Sequence, residues 1–519
     1  MSHIVIQDAL YRAESIRKLD QLAVLSNASV DGPAAAPNLN APVNDSNITL
    51  MKRAGRAAFN ELLEAFGKPS LITVFCGSGN NAGDGYIVAT LAAEKSLAVR
   101  VVELSAPAKL SADAAVARDY AVNAGVIFAP FSETIDLSEG VVVDALLGIG
   151  AAGPMREPYG AAIEMINQAA LPVLAIDLPS GLYADSGAAA EPAISADVTV
   201  TFIAAKQGMF TGRGPALCGE VIYHSLDVDE EIFQQVAPSA QLMDLNELIE
   251  NLPTRDVDAY KNQFGHSMVI GGDYSFGGAA MMAAEAALRT GSGLVSMATR
   301  PAHVAGALAR QPEVMVSGVV SGQELEPLLD KPTVLIVGPG LGRSPWSEQM
   351  LQKAVATGLP MVVDADALNI IAEGRVVPKP DGGRWVMTPH PAEAARLLNT
   401  SVAEVQADRF AAVRQIQEKY NAVVLLKGAG SLIAAPGDPV IAVCPYGNPG
   451  MATGGMGDVL SGIIGGLLAQ GLEPQLAAQL GCCLHSAAAD MAVEEQGMRG
   501  LTATDLLGYL RKLLNGELI

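Results

Sequence analysis

Basic side chains are scarce in this 519-residue chain: 33 Lys and Arg stand against 55 Asp and Glu, for a formal net charge of −22. That balance argues against nucleic acid or an anionic membrane as a partner, since both need a field of positive charge. A phosphate-bearing ligand must then be met by loop amides, helix N-termini or a metal ion. The five cysteines, Cys76, Cys218, Cys444, Cys482 and Cys483, are odd in number and form no C-x-x-C pair. They read as buried free thiols and not as a disulfide framework. No apolar run is long and clean enough to span a bilayer: residues 459–472 are broken by Ser461, Gly465, Gly466 and Gln470. The opening MSHIVIQDAL has neither a basic lead nor a long apolar stretch, so no signal peptide is expected and a cytoplasmic location is. No G-x-x-x-x-G-K-[ST] occurs, which argues against a Walker-type NTPase.

What is present is the patterning of a large α/β protein. Half the residues are hydrophobic and 17% are charged, a globular balance. Short β-branched runs such as LITVFCG, GVVVDAL, TVLIVGPG and AVVLLKG alternate with Ala-rich helical stretches, which predicts mainly parallel sheets. The length suggests more than one domain, and the acidic, polar stretch between the two strand-rich halves predicts a boundary near residues 228–250. We place the domains at 1–235 and 236–519. Residues 26–48, rich in Ala, Pro and Asn, read as an extended loop between two N-terminal helices.

In open α/β sheets ligands bind beyond the carboxyl ends of strands, so the loops after strands matter most. In the first half, CGSGNNAGDG offers Asn80, Asn81, Ala82, Gly83 and Asp84, either an amide nest or a helix start with Asp84 as its cap. DALLGIGAAGPM spells G-x-G-x-x-G with Gly148, Gly150 and Gly153, and Asp177 ends the next strand as a ribose-binding acid would. A nicotinamide dehydrogenase is therefore a rival reading. The third loop, AIDLPSG, brings Asp177 and Ser180; with Asn81 and Asp144 they make an oxygen set suited to a hard cation such as K⁺ or Mg²⁺.

In the second half, GNPGMATGGMGDVLSG crowds glycines around one acid, Asp458, at the start of an apolar run. Preceded by LLKGAGSLI, it stands in the order seen in ribokinase-like folds, where glycine-loop amides hold the phosphoryl group in flight and the Asp takes a hydroxyl proton. GPGLG (338–342) and VVDADALN, with Asp364 and Asp366, follow other strands, and His390 sits between two prolines at a strand end with Glu393 beyond it. Capping is the plainer role for Asp458, and a structural role the plainer one for His390. His266, Met281 and Met282 read as core.

The motifs NNAGDG, DALLGIG, IDLPSG and ADVTVTFIAAKQG resemble the epimerase half of the bifunctional NAD(P)H-hydrate repair enzymes, over about residues 10–225. Six further motifs in order, from VIGGDYSFGGAAMMAAEAALRTGSGLV to GNPGMATGGMGDVLSG, resemble their ADP/ATP-dependent dehydratase half over about residues 255–515. The resemblance implies a Rossmann-like doubly wound domain followed by a ribokinase-like one. It implies that Asn80, Asn81, Ala82, Gly83 and Asp84, the loop Gly148, Ile149, Gly150, Ala151, Ala152, Gly153 and Pro154, and Asp177 hold the hydrated dinucleotide. Asn81, Asp144 and Ser180 would bind K⁺, and Asp177 is the candidate proton handler. In the second domain Asp458 would be the base, with amides at Gly455 and Gly457 on the phosphoryl group. Lys427, Gly428, Ala429, Gly430 and Ser431 would hold the adenine nucleotide, and Ala279, Gly340, Gly342 and His390 the hydrate. ADP, or ATP, with Mg²⁺ is the expected cosubstrate, NADHX and NADPHX the substrates, and a homo-oligomer the expected assembly. A vitamin or sugar kinase with an accessory nucleotide-binding domain, and a non-catalytic nucleotide-binding scaffold, are the rivals.

Overall fold

The computed structural model describes residues 8–30, 45–150, 153–376 and 384–516. The chain divides into two compact units, residues 1–240 and 241–519, a division inside the acidic stretch between the strand-rich halves.

In the first unit seven strands form one parallel sheet. They are β1 (Ile72–Cys76), β2 (Val99–Glu103), β3 (Ile127–Pro130), β4 (Val141–Ala145), β5 (Val173–Ile176), β6 (Val198–Phe202) and β7 (Glu220–His224). Their spatial order is β3-β2-β1-β4-β5-β6-β7. Every residue of β1, β4, β5 and β6 is buried, which is why these runs read as continuous apolar stretches without alternation. The order reverses between β1 and β4, so the loops leaving those two strands border a crevice.

The second unit repeats that logic. Its strands are β8 (His266–Ile270), β9 (Leu294–Thr299), β10 (Met315–Gly318), β11 (Val334–Val337), β12 (Met361–Val363), β13 (Trp385–Met387), β14 (Val423–Leu426), β15 (Leu432–Ala434) and β16 (Ile441–Val443). They run in the order β10-β9-β8-β11-β12-β13-β14-β15-β16, parallel up to β14 and antiparallel over the last two pairs. Here the reversal lies between β8 and β11. The fold class is the one expected, two doubly wound α/β units.

Two local expectations are corrected. Residues 26–30 and 45–48, assigned to the N-terminal loop, lie in the helices Ala13–Val30 and Asp45–Phe66, and 31–44 fall outside the described residues. Asp84 caps nothing: helix Asn80–Glu94 begins at Gly79, and Asp84 lies within it. All five cysteines are buried free thiols, as composition implied. One helix, Pro474–Gln496, is long and apolar enough by composition to cross a membrane, yet 72% of its apolar window is buried inside the protein.

Helices Gly277–Thr290 and Met456–Ala469 run side by side in the same direction, and small residues set their spacing. A Cβ on Gly462 would stand 2.2 Å from the Ala283 carbonyl oxygen, and one on Gly466 2.8 Å from the Thr290 Cβ. Gly462→Val must push these helices apart. It should lower stability by about 1–3 kcal/mol, seen as an earlier urea midpoint for the second unit with the first unit's transition unmoved.

Candidate active sites

At the first crevice, a closed polar set gathers where β1 and β4 end. Asp144, fully buried, accepts hydrogen bonds from the Leu146 amide (3.1 Å), the Ser180 amide (2.7 Å) and the Ser180 hydroxyl (2.7 Å). Burial pushes its carboxyl up to about 6 against the pull of those donors. The Leu147 amide donates to Ser180 Oγ at 2.9 Å, and Asn81 Nδ2 donates to the Leu147 carbonyl at 2.9 Å. Asn81 Oδ1, by contrast, is buried with no hydrogen-bond partner. An orphaned acceptor costs about 1–3 kcal/mol, and in one cluster with the Asp144 carboxylate and the Leu147 carbonyl it is the donor chemistry of a hard monovalent cation. Among the described residues no group of three or more His, Cys, Asp or Glu is arranged to hold a metal, so soft or transition-metal ligation has no such cluster here.

Asp177 does not join that set. It leaves β5 with φ at +67°, a backbone state rare outside glycine. Its carboxylate pairs with the fully buried ammonium of Lys206, which also donates to Thr201 Oγ1 at 2.8 Å. Two more carboxyls feel this pair: burial, then the Asp177 charge, raises both Asp20, to about 6, and Asp84. The G-x-G-x-x-G run behaves unlike a dinucleotide fingerprint, because the next helix, Tyr159–Ala169, opens well past Gly153. Gly148 lies against the Asn81 side chain, and Tyr183 donates to the Gly153 carbonyl at 2.8 Å. Ala151 and Ala152 fall outside the described residues.

The second crevice is built around two helix N-termini. Gly455, with φ at +95°, starts helix Met456–Ala469 and places Asp458 in its first turn. Burial, and then the nearby Asp364 charge, raises the Asp458 carboxyl to about 7, with Lys427 opposing. Lys427 Nζ donates to Asp364 Oδ1 at 2.8 Å, and Ser461 Oγ to Asp364 Oδ2 at 2.8 Å. Burial disfavours charge on Lys427, but Asp364, Glu393 and Asp458 outweigh it and the pKa is raised. Gly457 sits over this pair: a Cβ there would be 3.2 Å from Lys427 Nζ.

His390 caps helix Pro391–Leu398 through Nδ1, which accepts from the Ala392 amide at 3.0 Å; nearly half its side chain remains exposed. Burial together with Lys427 and Arg396 lowers its pKa, so the ring is neutral at pH 7. Buried Glu393 accepts from the His390 amide at 2.8 Å, and burial raises its carboxyl to about 7. Gly340 and Gly342 take left-handed conformations at the β11 exit, and Gly342 donates to Asp366 at 3.0 Å. A Cβ on Gly340 would meet the Phe276 carbonyl at 2.3 Å and Ala279 at 3.1 Å, so these glycines let two loops touch. In the loop after β14, the Gly428 amide and carbonyl both bond Ser431 Oγ, and fully buried Arg409 backs Gly428 from beneath.

Comparison with known proteins follows this division. Residues 267–512 match the family model described as NAD(P)H-hydrate dehydratase, and 47–208 the one described as YjeF-related protein N-terminus. The chain is 47% identical to the bifunctional NAD(P)H-hydrate repair enzyme Nnr of Coxiella burnetii over 98% of this chain and 99% of that one. It belongs to this family. With the Escherichia coli enzyme of the same name identity is 42%, over 90% of each chain. A solved ADP/ATP-dependent NAD(P)H-hydrate dehydratase of Bacillus subtilis, co-crystallised with ATP/Mg²⁺, is 27% identical, covers 52% of this chain and 96% of its own, and has a TM-score of 0.48.

Within this repair-enzyme framework, sequence reasoning passed over Lys206, Ser461 and His485. Lys206 stood in the quoted AAKQG, and a lysine in a strand-like apolar run was the available signal. Ser461 lies one turn after Asp458, the spacing that puts both on one helix face. His485 gave no signal at all: buried on helix Pro474–Gln496 with Nε2 unpartnered, it is held neutral, at about 4, by burial and by Lys427.

The Asp177–Lys206 pair yields a stability prediction. Asp177→Ala leaves a fully buried ammonium without its carboxylate and should cost about 3 kcal/mol in thermal or urea unfolding of the first unit. Adding Lys206→Met should recover part of that loss.

Proposed function

We propose that the chain repairs hydrated nicotinamide nucleotides. Residues 1–235 would interconvert the R and S epimers of NADHX and NADPHX. Residues 236–519 would use ADP to dehydrate the S form, returning NAD(P)H with AMP and phosphate. The observation that carries this reading is Asp458: an acid poised at about 7 beside the free amides of a glycine-opened helix, with a Lys427–Asp364 pair next to it. A base that titrates near the working pH suits removal of a hydroxyl proton, and the adjoining amides suit a phosphoryl group. The family membership and the ATP/Mg²⁺ of the Bacillus subtilis protein support the nucleotide, with ATP as the alternative donor.

In the dehydration, Asp458 takes the proton of the C6 hydroxyl as its oxygen attacks the β-phosphorus of ADP. Amides at Gly455 and Gly457 take up charge on the transferring group, and Lys427 to Ser431 hold the nucleotide. Phosphate is a far better leaving group than hydroxide, and its departure allows the C5–C6 double bond to form. Ala279, Gly340, Gly342 and neutral His390 would orient the hydrate. Mg²⁺, when bound with the nucleotide, neutralises phosphate charge that this acidic site cannot meet alone.

In the first domain Asn80 to Asp84, Gly148 to Pro154 and Asp177 would hold the dinucleotide, with Asp177, oriented by Lys206, handling the proton. The hydrate is a carbinolamine, so its C6 centre can scramble by reversible C–O cleavage without redox chemistry. Asn81, Asp144 and Ser180 would hold K⁺, which satisfies Asn81 Oδ1 and offsets the Asp144 charge.

The direct test incubates mixed NADHX epimers with the protein, ADP and Mg²⁺ and follows recovery of reduced-nicotinamide absorbance. Full recovery is expected; recovery stopping at the S fraction overturns the epimerase assignment, and recovery without ADP overturns the dehydratase assignment. Accumulation of a phosphorylated product in place of phosphate release would favour a kinase. Asp458→Asn should cut dehydration about 10²–10⁴-fold and leave epimerisation intact. Dehydratase kcat/KM should fall as pH drops below about 7, because only ionised Asp458 accepts a proton. Asp364→Asn should move that limb to lower pH by removing the like charge. In the first domain, Asn81→Ala should weaken K⁺ dependence of epimerisation without altering dehydration.

A further inference from the structure

The loop leaving β8 holds two large aromatic rings in the open: Tyr274 is 62% exposed and Phe276 56%. Loops at the carboxyl ends of strands border the ligand crevice of an open α/β sheet, so an aromatic ring held there is placed to meet a ligand. The Asp273 amide donates to the Gly340 carbonyl at 2.7 Å, and the Phe276 amide to the Asp273 carbonyl at 3.0 Å. The Asp273 carboxylate is bonded by Arg300 Nε (2.7 Å) and Ser344 Oγ (2.8 Å). Arg300 in turn lies over the rings of Tyr274 and Trp346, at 4.6 and 4.4 Å from their centroids. Tyr274 thus has a structural employment on the arginine. No ring contact or cation is recorded for Phe276 among the described residues.

Helix register fixes the level of Phe276 along these two helices. Gly462 faces Ala283 and Ala286, and Gly466 faces Ala287 and Thr290, so the two parallel helices are in fixed register. Carried back toward their N-termini, that register sets Gly277 opposite Gly455, and Phe276 about 7 Å further along the axis than Asp458. Gly278 and Gly454, one at each helix start, have no neighbouring atom near a would-be Cβ, so open space borders both termini at this level. Phe276 also meets the loop after β11: a Cβ on Gly340 would stand 2.3 Å from its carbonyl oxygen and 3.0 Å from its Cβ, so Phe276 borders the glycines that would contact the hydrate.

We propose that Phe276 supplies the aromatic face against which the nicotinamide-derived ring of the hydrate lies, and that it stabilises the cation formed when phosphate leaves. This rests on the dehydratase reading given above. After phosphorylation the C6–O bond breaks with its electron pair going to phosphate, while the ring-nitrogen lone pair forms N1=C6. The resulting iminium carries one positive charge until a proton leaves C5 to solvent and the C5–C6 double bond is restored. Both neighbouring helix N-termini are poor hosts for that charge, whereas a phenyl face attracts it.

Rapid quench with NADHX and ADP separates the steps: AMP formation reports phosphoryl transfer, and absorbance reports iminium collapse to NADH. Phe276→Leu should slow NADH formation about tenfold with little change in the AMP burst, and Phe276→Tyr should restore it. Ring fluorination at position 276 should slow NADH formation stepwise as π density falls. An unchanged NADH rate in Phe276→Leu, an equal loss of both steps, or indifference to fluorination would overturn the proposal. Absence of ADP consumption by the unaltered protein would instead overturn the dehydratase reading, so the two failures are distinct.

Discussion

The second site depends on one ion pair, Lys427 with Asp364. Asp364 is almost fully buried, and a lone buried carboxylate would neutralise or unfold its surroundings. Lys427 and Ser461 each donate a hydrogen bond to it at 2.8 Å. Burial raises the Asp458 carboxyl, and the Asp364 charge beside it adds to that rise. Burial lowers His390 and His485, and Lys427 adds to the shift of both rings. The pair therefore adds to the shifts that burial imposes around it, and loss of either member would change several groups at once.

The two units solve the same problem with the same strand order at different chemistry. In each, the order reverses beside the first strand, and loops from two neighbouring strands border the opening. In the first unit that opening ends in a buried carboxylate wrapped by amides, with one asparagine oxygen left over. In the second it ends in exposed amides at helix starts with an acid one turn in. The first arrangement suits a cation and a neutral rearrangement; the second suits an anion in transit. Neither needs the excess of basic side chains that the composition lacks.

Much of this was legible in the chain. Fully buried parallel strands leave unbroken β-branched runs, and glycines that must adopt left-handed backbone or permit close approach, such as Gly340 and Gly455, leave visible clusters. Asn81, Asp144 and Ser180 were each identifiable because each lies at or just beyond the carboxyl end of a strand. Partners distant in sequence were not. Asp177 and Lys206 are joined only by the packing of β5 against β6 and the turn beyond it. Asp84 looked like a cap because it lies among glycines, yet the helix had already begun at Gly79. Phe276 gave no signal of its own, since its neighbour Gly340 comes from a loop distant in sequence.

The acidity of the protein becomes intelligible through these sites. A phosphoryl seat made mainly of backbone amides carries little counter-charge that could trap the product, since Lys427, the cation beside Gly457, is already paired with Asp364. Helix N-termini contribute roughly half a charge each, enough to orient a phosphoryl group in flight and weak enough to release it. A cluster of arginines in the same place would bind inorganic phosphate after the reaction and slow turnover. For chemistry whose phosphate is delivered only to be expelled, a seat of dipoles beside a neutral-poised acid is the better construction, and the scarcity of lysine and arginine around Gly455 is consistent with that demand.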